Sequence, residues 1–216
     1  MRAIQKTEEP VELVAFRAVP GATYDGGNFT PVKEKIRESL LNEQYYLCAY
    51  CMRRIEALTM KVEHWQSQSD LSNRQLDYKN LLGVCDGNEG KPWKSQTCDT
   101  RKGNSELKFN PSMPEHRIES RIRYLGNGEI KSDDSNFSEQ IEKVINLNWT
   151  RLRENRRAVI DAVDQVLGKR QGTRTPTEVR KLISQWEPAN GRLQEYCGVA
   201  VYFLKKKLSL VQSTIA

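Results

Sequence analysis

The 216-residue chain has only two histidines and no long run of apolar residues. Its longest apolar stretch, Cys197 to Leu204, is far shorter than the ~18–20 residues that a membrane-spanning helix needs. The N-terminal residues MRAIQKTEEP also lack the apolar segment of a secretory signal peptide. We therefore expect a cytoplasmic protein with no membrane partner.

The chain also lacks an even set of cysteines. Five cysteines without an export signal disfavour a disulfide framework and favour either metal ligation or simple burial. Internal repeats and low-complexity segments are absent as well. Hydrophobic residues make up 38% and charged residues 29%, a balance typical of a soluble globular chain.

The net charge is +6, with a calculated pI near 9.0. Basic residues form two clusters: Arg151, Arg153, Arg156 and Arg157, and then Lys205, Lys206 and Lys207. Such clusters attract polyanions, but they also occur on an ordinary solvated helix face. Nucleic-acid binding is therefore compatible with the charge but not established by it.

The first third of the chain predicts an arm, a helix and a hairpin. Residues 1–29 contain turn signals and read as an extended arm with one short strand near Val11–Phe16. Thr30 is a candidate cap and Pro31 a suitable first residue for a helix that runs towards Cys48, with Val32, Ile36 and Leu40 at helical spacing. Residues 53–65 suggest a hairpin that turns at Leu58-Thr59.

The second half predicts another hairpin and then helices. Asn127-Gly128 supplies the turn between strands at 121–125 and 129–130. Ser138 is a candidate cap for one long helix that ends at Gly168, with an apolar stripe at Ile141, Ile145, Trp149, Leu152, Val159, Val163 and Val166. Thr175-Pro176-Thr177-Glu178 is a capping box that opens a further helix, and the last helix spans about 193–210.

Four of the cysteines have the spacing of a zinc site. Cys48 and Cys51 form a CxxC, which lets two thiolates of one turn bind the same ion. Cys85 and Cys98 supply two further ligands if the polar, glycine-containing segment between them is a loop. The alternative is four independently buried cysteines, whereas Cys197 lies on an apolar helical stretch and reads as core packing.

Between the cysteines lies Glu63-His64, a candidate catalytic pair. A neutral imidazole can accept a proton from water. On a regular strand Glu63 points to the face opposite His64, so joint action requires a bulge or a strand end. For the other histidine, His116, a surface turn is the better interpretation, and Trp149 and Trp186 read as core residues.

The order CAYC, EH, NLLGVC and CDTRKG resembles the HNH nucleases, over Cys48 to Asn104. The resemblance implies an α+β fold, with a zinc-stapled ββα-metal core embedded in a mainly α-helical chain. More narrowly, Asn42-Glu43-Gln44 before CAYC, the long loop between the last two cysteines and Asn146-Leu147-Asn148 resemble the PtuB-like HNH subunit of Septu and retron-associated anti-phage defence systems. The corresponding divisions are an arm at 1–29, a nuclease core at 30–110, and a hairpin with a helical partner-docking region at 111–216.

The resemblance assigns roles to single residues. It makes His64 the general base and Asn80 the residue that holds the base and its loop in place. Glu63 falls where the family usually has a metal-binding aspartate, and Asp99 where histidine or asparagine is commoner; both become ligands of a catalytic ion. Carboxylate oxygens suit Mg²⁺ or Mn²⁺, while Cys48, Cys51, Cys85 and Cys98 become the structural Zn²⁺ ligands.

Bland alternatives stay open for two of these positions. Asn80 and Asp99 could each merely cap a short helix. Arg101 and Lys102 are the expected nucleic-acid contacts, Lys102 as a point charge on a phosphate.

Three functions remain in contention from the sequence. The resemblance favours a metal-dependent endonuclease that cuts DNA, with an RNA- or tRNA-cleaving nuclease as the second enzyme. A zinc-stabilised module that binds nucleic acid or protein without cutting is the third. The implied partners are a nucleic acid, an ABC- or SMC-type ATPase and, in retron systems, a reverse transcriptase with its small DNA.

Overall fold

The computed structural model describes residues 1–67, 74–169, 174–188 and 191–215, with side chains as far as residue 212. Within these ranges the α-helices are α1 (Val11–Arg17), α2 (Thr30–Glu43), α3 (Cys98–Lys102), α4 (Ile118–Arg121), α5 (Ser135–Glu139), α6 (Thr150–Gly168), α7 (Pro176–Trp186) and α8 (Cys197–Ile215). The strands are β1 (Lys61–His64), β2 (Leu81–Val84), β3 (Ile122–Tyr124) and β4 (Ile130–Ser132). Short 3₁₀ turns span Tyr78–Asn80, Trp93–Ser95 and Pro114–His116.

The arm contains a helix where a strand was predicted. Residues Val11–Arg17 form α1, so the prediction of a strand near Val11–Phe16 is wrong. Pro10 precedes the helix, Glu12 lies in its first turn and Arg17 in its last, a charge order that favours a helix. Leu13 is fully buried, and Phe16, one turn later on the same face, packs against the core.

Helix α2 confirms the predicted spacing of apolar residues. Val32, Ile36 and Leu40 are all buried. The cap differs, because Phe29 occupies the N-cap position and Pro31 lies in the first turn after Thr30, without a side-chain cap. The helix ends at Glu43, five residues before the first cysteine of the CxxC.

The first predicted hairpin is wrong. Strand β1 does not pair across a turn at Leu58-Thr59 but runs antiparallel to β2, with Lys61 opposite Val84 and His64 opposite Leu81. Every residue of β2 is buried, whereas Leu58 is 97% exposed. The strand therefore pairs with the apolar segment that gives it a buried neighbour, twenty residues away in sequence.

The second predicted hairpin is confirmed. Ile122 pairs with Ser132 and Tyr124 with Ile130, in an antiparallel register. Gly128 has a φ of 80°, which L-residues rarely adopt, and a Cβ at this position would lie 2.2 Å from the backbone oxygen of Arg153. The turn thus requires glycine for both its φ angle and its close approach to α6.

The long helix predicted from Ser138 is divided. Asp134, not Ser138, caps α5, which continues into a π-helical turn at Gln140–Val144. Asn146 then takes a positive φ of 47° before α6 begins at Thr150 and ends, as predicted, at Gly168. Ile141, Ile145, Leu152 and Val163 of the predicted stripe are nevertheless buried.

The C-terminal helices follow the sequence signals more closely. Thr175 and Glu178 form the predicted capping box at the start of α7. Helix α8 begins at Cys197, four residues later than predicted, and extends to Ile215. No described helix has the length and hydrophobicity required to span a bilayer.

One cluster of buried apolar residues extends from Met1 to Val199, and a smaller one joins α6, α7 and α8 through Val163, Val179, Ala200 and Leu204. Residues of the arm, of 30–110 and of 111–216 all contribute to the first cluster. The domain boundaries predicted at 29/30 and 110/111 remain predictions. Arg156, expected in a basic surface cluster, is instead 2% exposed and packs inside the molecule.

Candidate metal centre and active site

The four cysteines with zinc spacing converge on one point. Their Sγ atoms all lie within 4.8 Å of one another, and all four residues are buried. The Sγ atoms of Cys48 and Cys98 are 3.9 Å apart, and those of Cys51 and Cys85 are 3.7 Å apart. A tetrahedral ion with Zn–S bonds of ~2.3 Å would separate its sulfurs by about 3.8 Å, so the thiol set fits zinc and is not four independent buried cysteines.

Backbone contacts fix the turn that carries the CxxC. The Cys48 amide donates to the Arg53 carbonyl at 2.8 Å, and the Ala49 amide donates to Gly83 in β2 at 3.0 Å. Between Cys85 and Cys98, Gly87 has a φ of 58°, and a Cβ there would lie 2.3 Å from the backbone oxygen of Thr97. This glycine lets the loop close so that the last cysteine reaches the first three.

A cavity of about 550 Å³ lies beside the cysteine cluster. Glu63, His64 and Asp99 all line it, together with Lys61. Glu63 and His64 are consecutive in sequence, and the strand pattern predicts opposite directions for their side chains. His64 is the last residue of β1, and at this strand end both residues reach the same cavity.

Glu63 is 5% exposed and has three polar neighbours. The Lys102 ammonium lies 2.8 Å from Oε1, and the Tyr50 hydroxyl donates to the same oxygen at 3.0 Å. Burial, followed by the hydrogen bond with Asp99 and its negative charge, raises the pKa of Glu63 well above its ordinary value, and Lys102 acts in the opposite direction. Two carboxyl groups thus meet in this site, with the Lys102 ammonium directly at Glu63.

His64 is 8% exposed, and its ring is held from two sides. Nε2 lies 2.9 Å from the backbone oxygen of Gln75, and the ring of Tyr24 packs edge-on at 4.5 Å between centroids. A carbonyl can only accept, so Nε2–H donates, and the lone pair of the neutral ring belongs to Nδ1. Burial lowers the pKa of His64 below its ordinary value, although the Gln75 carbonyl acts against this, so the imidazole is neutral at physiological pH.

Asn80 forms hydrogen bonds with the backbone that follows His64. Its Oδ1 accepts from the Gln66 amide at 2.8 Å, and its Nδ2 donates to the backbone oxygens of Gln66 at 3.0 Å and Arg74 at 3.4 Å. Asp77, rather than Asn80, caps the 3₁₀ turn at Tyr78–Asn80. Asn80 therefore holds the backbone at Gln66, two residues after His64, and at Arg74, next to Gln75.

Asp99 lies in the first turn of α3, directly after the last cysteine. Its Oδ2 is 3.9 Å from the ammonium of Lys61, and the residue lines the cavity with Glu63. Two carboxylates suit a hard divalent cation. Among the described residues, the four cysteines are the group of three or more potential metal ligands that lies together.

Arg101 and Lys102 both have partners within the protein, and their expected role as nucleic-acid contacts stays a prediction. The side chain of Lys102 is 1% exposed and its ammonium pairs with Glu63, so it faces a carboxylate rather than solvent. The Arg101 guanidinium donates to the backbone oxygens of Trp93 and Lys143 and lies 3.9 Å above the Trp93 ring. Lys102 balances charge inside the site, and Arg101 supports the neighbouring loop.

The sequence analysis overlooked several neighbours of the site. Tyr50 lies inside the CxxC, and Lys61 is two residues before Glu63 on the same strand face, so both could have been proposed from spacing. Tyr24 and the Gln75 carbonyl reach His64 from distant segments, and no local pattern predicts such contacts.

The remaining chemically notable residues have structural roles. Cys197 is fully buried at the start of α8, as predicted. His116 lies outside the cavity, where its Nδ1 accepts the Asn110 amide at 2.7 Å and its ring packs against Phe109. Trp149 and Trp186 are half-buried against the core, consistent with the prediction.

Comparison with known proteins finds a similarity in sequence. No protein-family model matches the chain. It is 34% identical over 124 residues to an Escherichia coli protein named "Retron Ec83 putative HNH endonuclease", across 50% of this chain and 48% of that protein. The chain therefore spans about half the length of this curated relative.

Proposed function

We propose that the protein is a metal-dependent HNH endonuclease that hydrolyses phosphodiester bonds, with DNA as the favoured substrate. The observation that carries this proposal is the meeting of His64, Glu63 and Asp99 in one cavity beside four convergent cysteines. The similarity to a protein named as an HNH endonuclease supports the same reaction class. The proposed ββα-metal core consists of β1, β2 and α3.

His64 is the proposed general base. A buried, neutral imidazole whose Nε2–H is held by the Gln75 carbonyl keeps its basic nitrogen in a fixed orientation. Proton removal by such a group typically accelerates a reaction by ~10²–10⁴. Asn80 is the proposed positioning residue, because its three hydrogen bonds hold the backbone at Gln66 and at Arg74, next to Gln75.

Glu63 and Asp99 are the proposed ligands of Mg²⁺ or Mn²⁺. Such an ion would neutralise the charge that develops on the phosphate and on the departing oxygen. Tyr50 and Lys102 hold Glu63 in place, and Lys61 approaches Asp99. The cysteine cluster is the proposed Zn²⁺ site, which would fix the turn, β2 and α3 relative to one another.

We further propose that the nuclease is the effector of an anti-phage defence complex of the Septu or retron type in the cytoplasm. The name of the relative places that protein in a retron, which supports this context and makes RNA, including tRNA, the alternative substrate. An ABC- or SMC-type ATPase, with a reverse transcriptase and its small DNA in a retron, is the proposed partner. The region 111–216 is its proposed docking surface.

The proposal is tested by incubating the purified chain with plasmid DNA and with total tRNA in Mg²⁺, in Mn²⁺ and in EDTA. The assay is repeated with the proposed ATPase partner added. We expect metal-dependent cleavage that EDTA stops, and the cleaved substrate identifies the class. Binding of either nucleic acid without cleavage under all of these conditions would instead identify a non-catalytic zinc module.

A further inference from the structure

An exposed tryptophan lies on the loop between the last two cysteines. Trp93 is 59% exposed, although tryptophan is a large apolar residue that is usually well buried. The Arg101 guanidinium lies 3.9 Å from the centre of its ring and covers one face. The exposed area therefore belongs to the opposite face and the edges of the indole.

The loop holds this indole in a fixed position. The Arg101 guanidinium is itself fixed by the backbone oxygens of Trp93 and Lys143. Asn146 donates to the backbone oxygens of Lys94 at 3.1 Å and Gln96 at 2.8 Å, so the segment after α5 anchors the loop. An exposed aromatic ring on a rigid support loses little conformational entropy when a ligand stacks on it.

The charge around Trp93 favours a polyanion. Lys91 and Lys94 flank it in sequence, both are exposed, and neither ammonium forms an ion pair with any residue in the described ranges. Glu89, the nearby acid of the loop, is paired with Lys61 at 2.9 Å on the cavity side. Two exposed lysines without an ion pair in the described ranges therefore flank the tryptophan in sequence.

The position of Trp93 relative to the cavity fits a polymeric ligand that occupies both. Glu89 lines the cavity and lies four residues before Trp93 on the same loop. The chain between them spans at most ~14 Å, which about four nucleotides of one strand cover at 3.4 Å each. A strand with its phosphate in the cavity would therefore reach the indole with a nearby base.

We propose that Trp93, supported by Arg101, is a stacking platform for an unpaired base of a nucleic-acid strand that extends from the cavity. This inference rests on the proposed function, since it assumes that the cavity receives a phosphate of the same strand. Aromatic stacking tolerates every base, because each has a π-face, and contributes ~1–3 kcal/mol per base. The platform would give the protein a preference for unpaired strands without giving it a sequence preference.

The test measures binding of fluorescein-labelled single strands by anisotropy, with the full chain carrying His64→Ala so that no strand is cut. Trp93→Ala should weaken binding of oligothymidylate or oligouridylate about 5-fold to 100-fold, and Trp93→Phe should retain most of the affinity. The matched control is Leu58→Ala, at another exposed apolar residue, which should leave affinity unchanged. DNA and RNA strands in separate arms identify the preferred backbone.

An abasic strand of the same length separates stacking from charge. Trp93→Ala should not weaken its binding, whereas Lys94→Ala should weaken both strands. Equal affinity of the Trp93→Ala variant and the parent chain for normal strands would overturn the inference and leave a protein partner as the occupant. If Trp93→Ala weakens binding but the wild-type chain cuts nothing, the stacking platform stands and the proposed reaction fails. If the wild-type chain cuts but Trp93→Ala has no effect on binding, the proposed reaction stands and the platform fails.

Discussion

Arg156 is the clearest case of a charged residue whose role is structural. Its Nε donates to the Gly128 carbonyl at 2.6 Å, and its Nη2 donates to the Leu147 carbonyl at 2.7 Å and to Asn148 Oδ1 at 3.3 Å. The guanidinium therefore joins α6 to the β3–β4 turn and to the break before α6. Arg157, the next residue, is largely exposed and pairs only loosely with Asp161, at 3.9 Å.

We expect Arg156→Ala to lower the free energy of unfolding by about 3–5 kcal/mol, because it leaves buried acceptors unsatisfied and creates a cavity. Arg157→Ala is the matched control and should change stability by less than about 0.5 kcal/mol. Urea denaturation of both variants measures the difference. Similar midpoints for the two would contradict the structural role of Arg156.

At the scale of single residues, the sequence predicted which side chains could do chemistry better than it predicted which groups surround them. Cys48, Cys51, Cys85 and Cys98 could be found because zinc ligation imposes a spacing that burial does not. The burial of Lys102 and Arg156 could not, because whether a cation is solvated or paired depends on contacts with segments distant in the chain. His64 could be singled out, but its orientation depends on a backbone carbonyl that no side-chain pattern records.

At the scale of elements, local signals succeeded where they were complete within a few residues. The β3–β4 hairpin and the capping box of α7 each depend on a turn or cap that contains all of its own partners. The pairing of β1 with β2 was not predicted, because β2 is distant from β1 in sequence. The break at Asn146 was not predicted, because the apolar stripe continues on both sides of it.

The β3–β4 turn offers a test with an internal control. Gly128→Ala should destabilise the protein by at least ~1–2 kcal/mol from its positive φ alone, and more because its Cβ would meet the Arg153 carbonyl. Gly126→Ala, in the same turn but facing open space, should leave stability unchanged or slightly raised. Thermal melts of the two variants check this, and an equal loss in both would mean that the turn has another conformation.

At the scale of the whole molecule, the cysteine cluster joins three segments that are distant in sequence. The CxxC turn, the end of β2 and the start of α3 all meet there, and all three also form walls of the candidate site or its supports. Binding of zinc by such a cluster contributes folding energy, because the unfolded chain has no preformed site. The overall α+β character was predictable from the resemblance, whereas the contribution of the arm to the core was not.

We expect one zinc per chain in the wild-type protein and in Cys197→Ala, and none in Cys48→Ala. Chelation or Cys48→Ala should lower the melting temperature strongly, since the lost binding energy is folding energy. Elemental analysis together with thermal melts measures both quantities. One zinc per chain in Cys48→Ala, with an unchanged melt, would show that the four sulfurs do not form the site.

The most direct measurement of the central claim compares the cleavage rates of His64→Ala and His116→Ala, with the fold of each checked by circular dichroism. The account predicts that His64→Ala cleaves the substrate ~10²–10⁴-fold more slowly than the wild type, because the general base is gone, and that its fold is unchanged. His116→Ala, which removes the other histidine of the chain, should keep the wild-type rate. A His64→Ala protein that cuts at the wild-type rate would contradict the account.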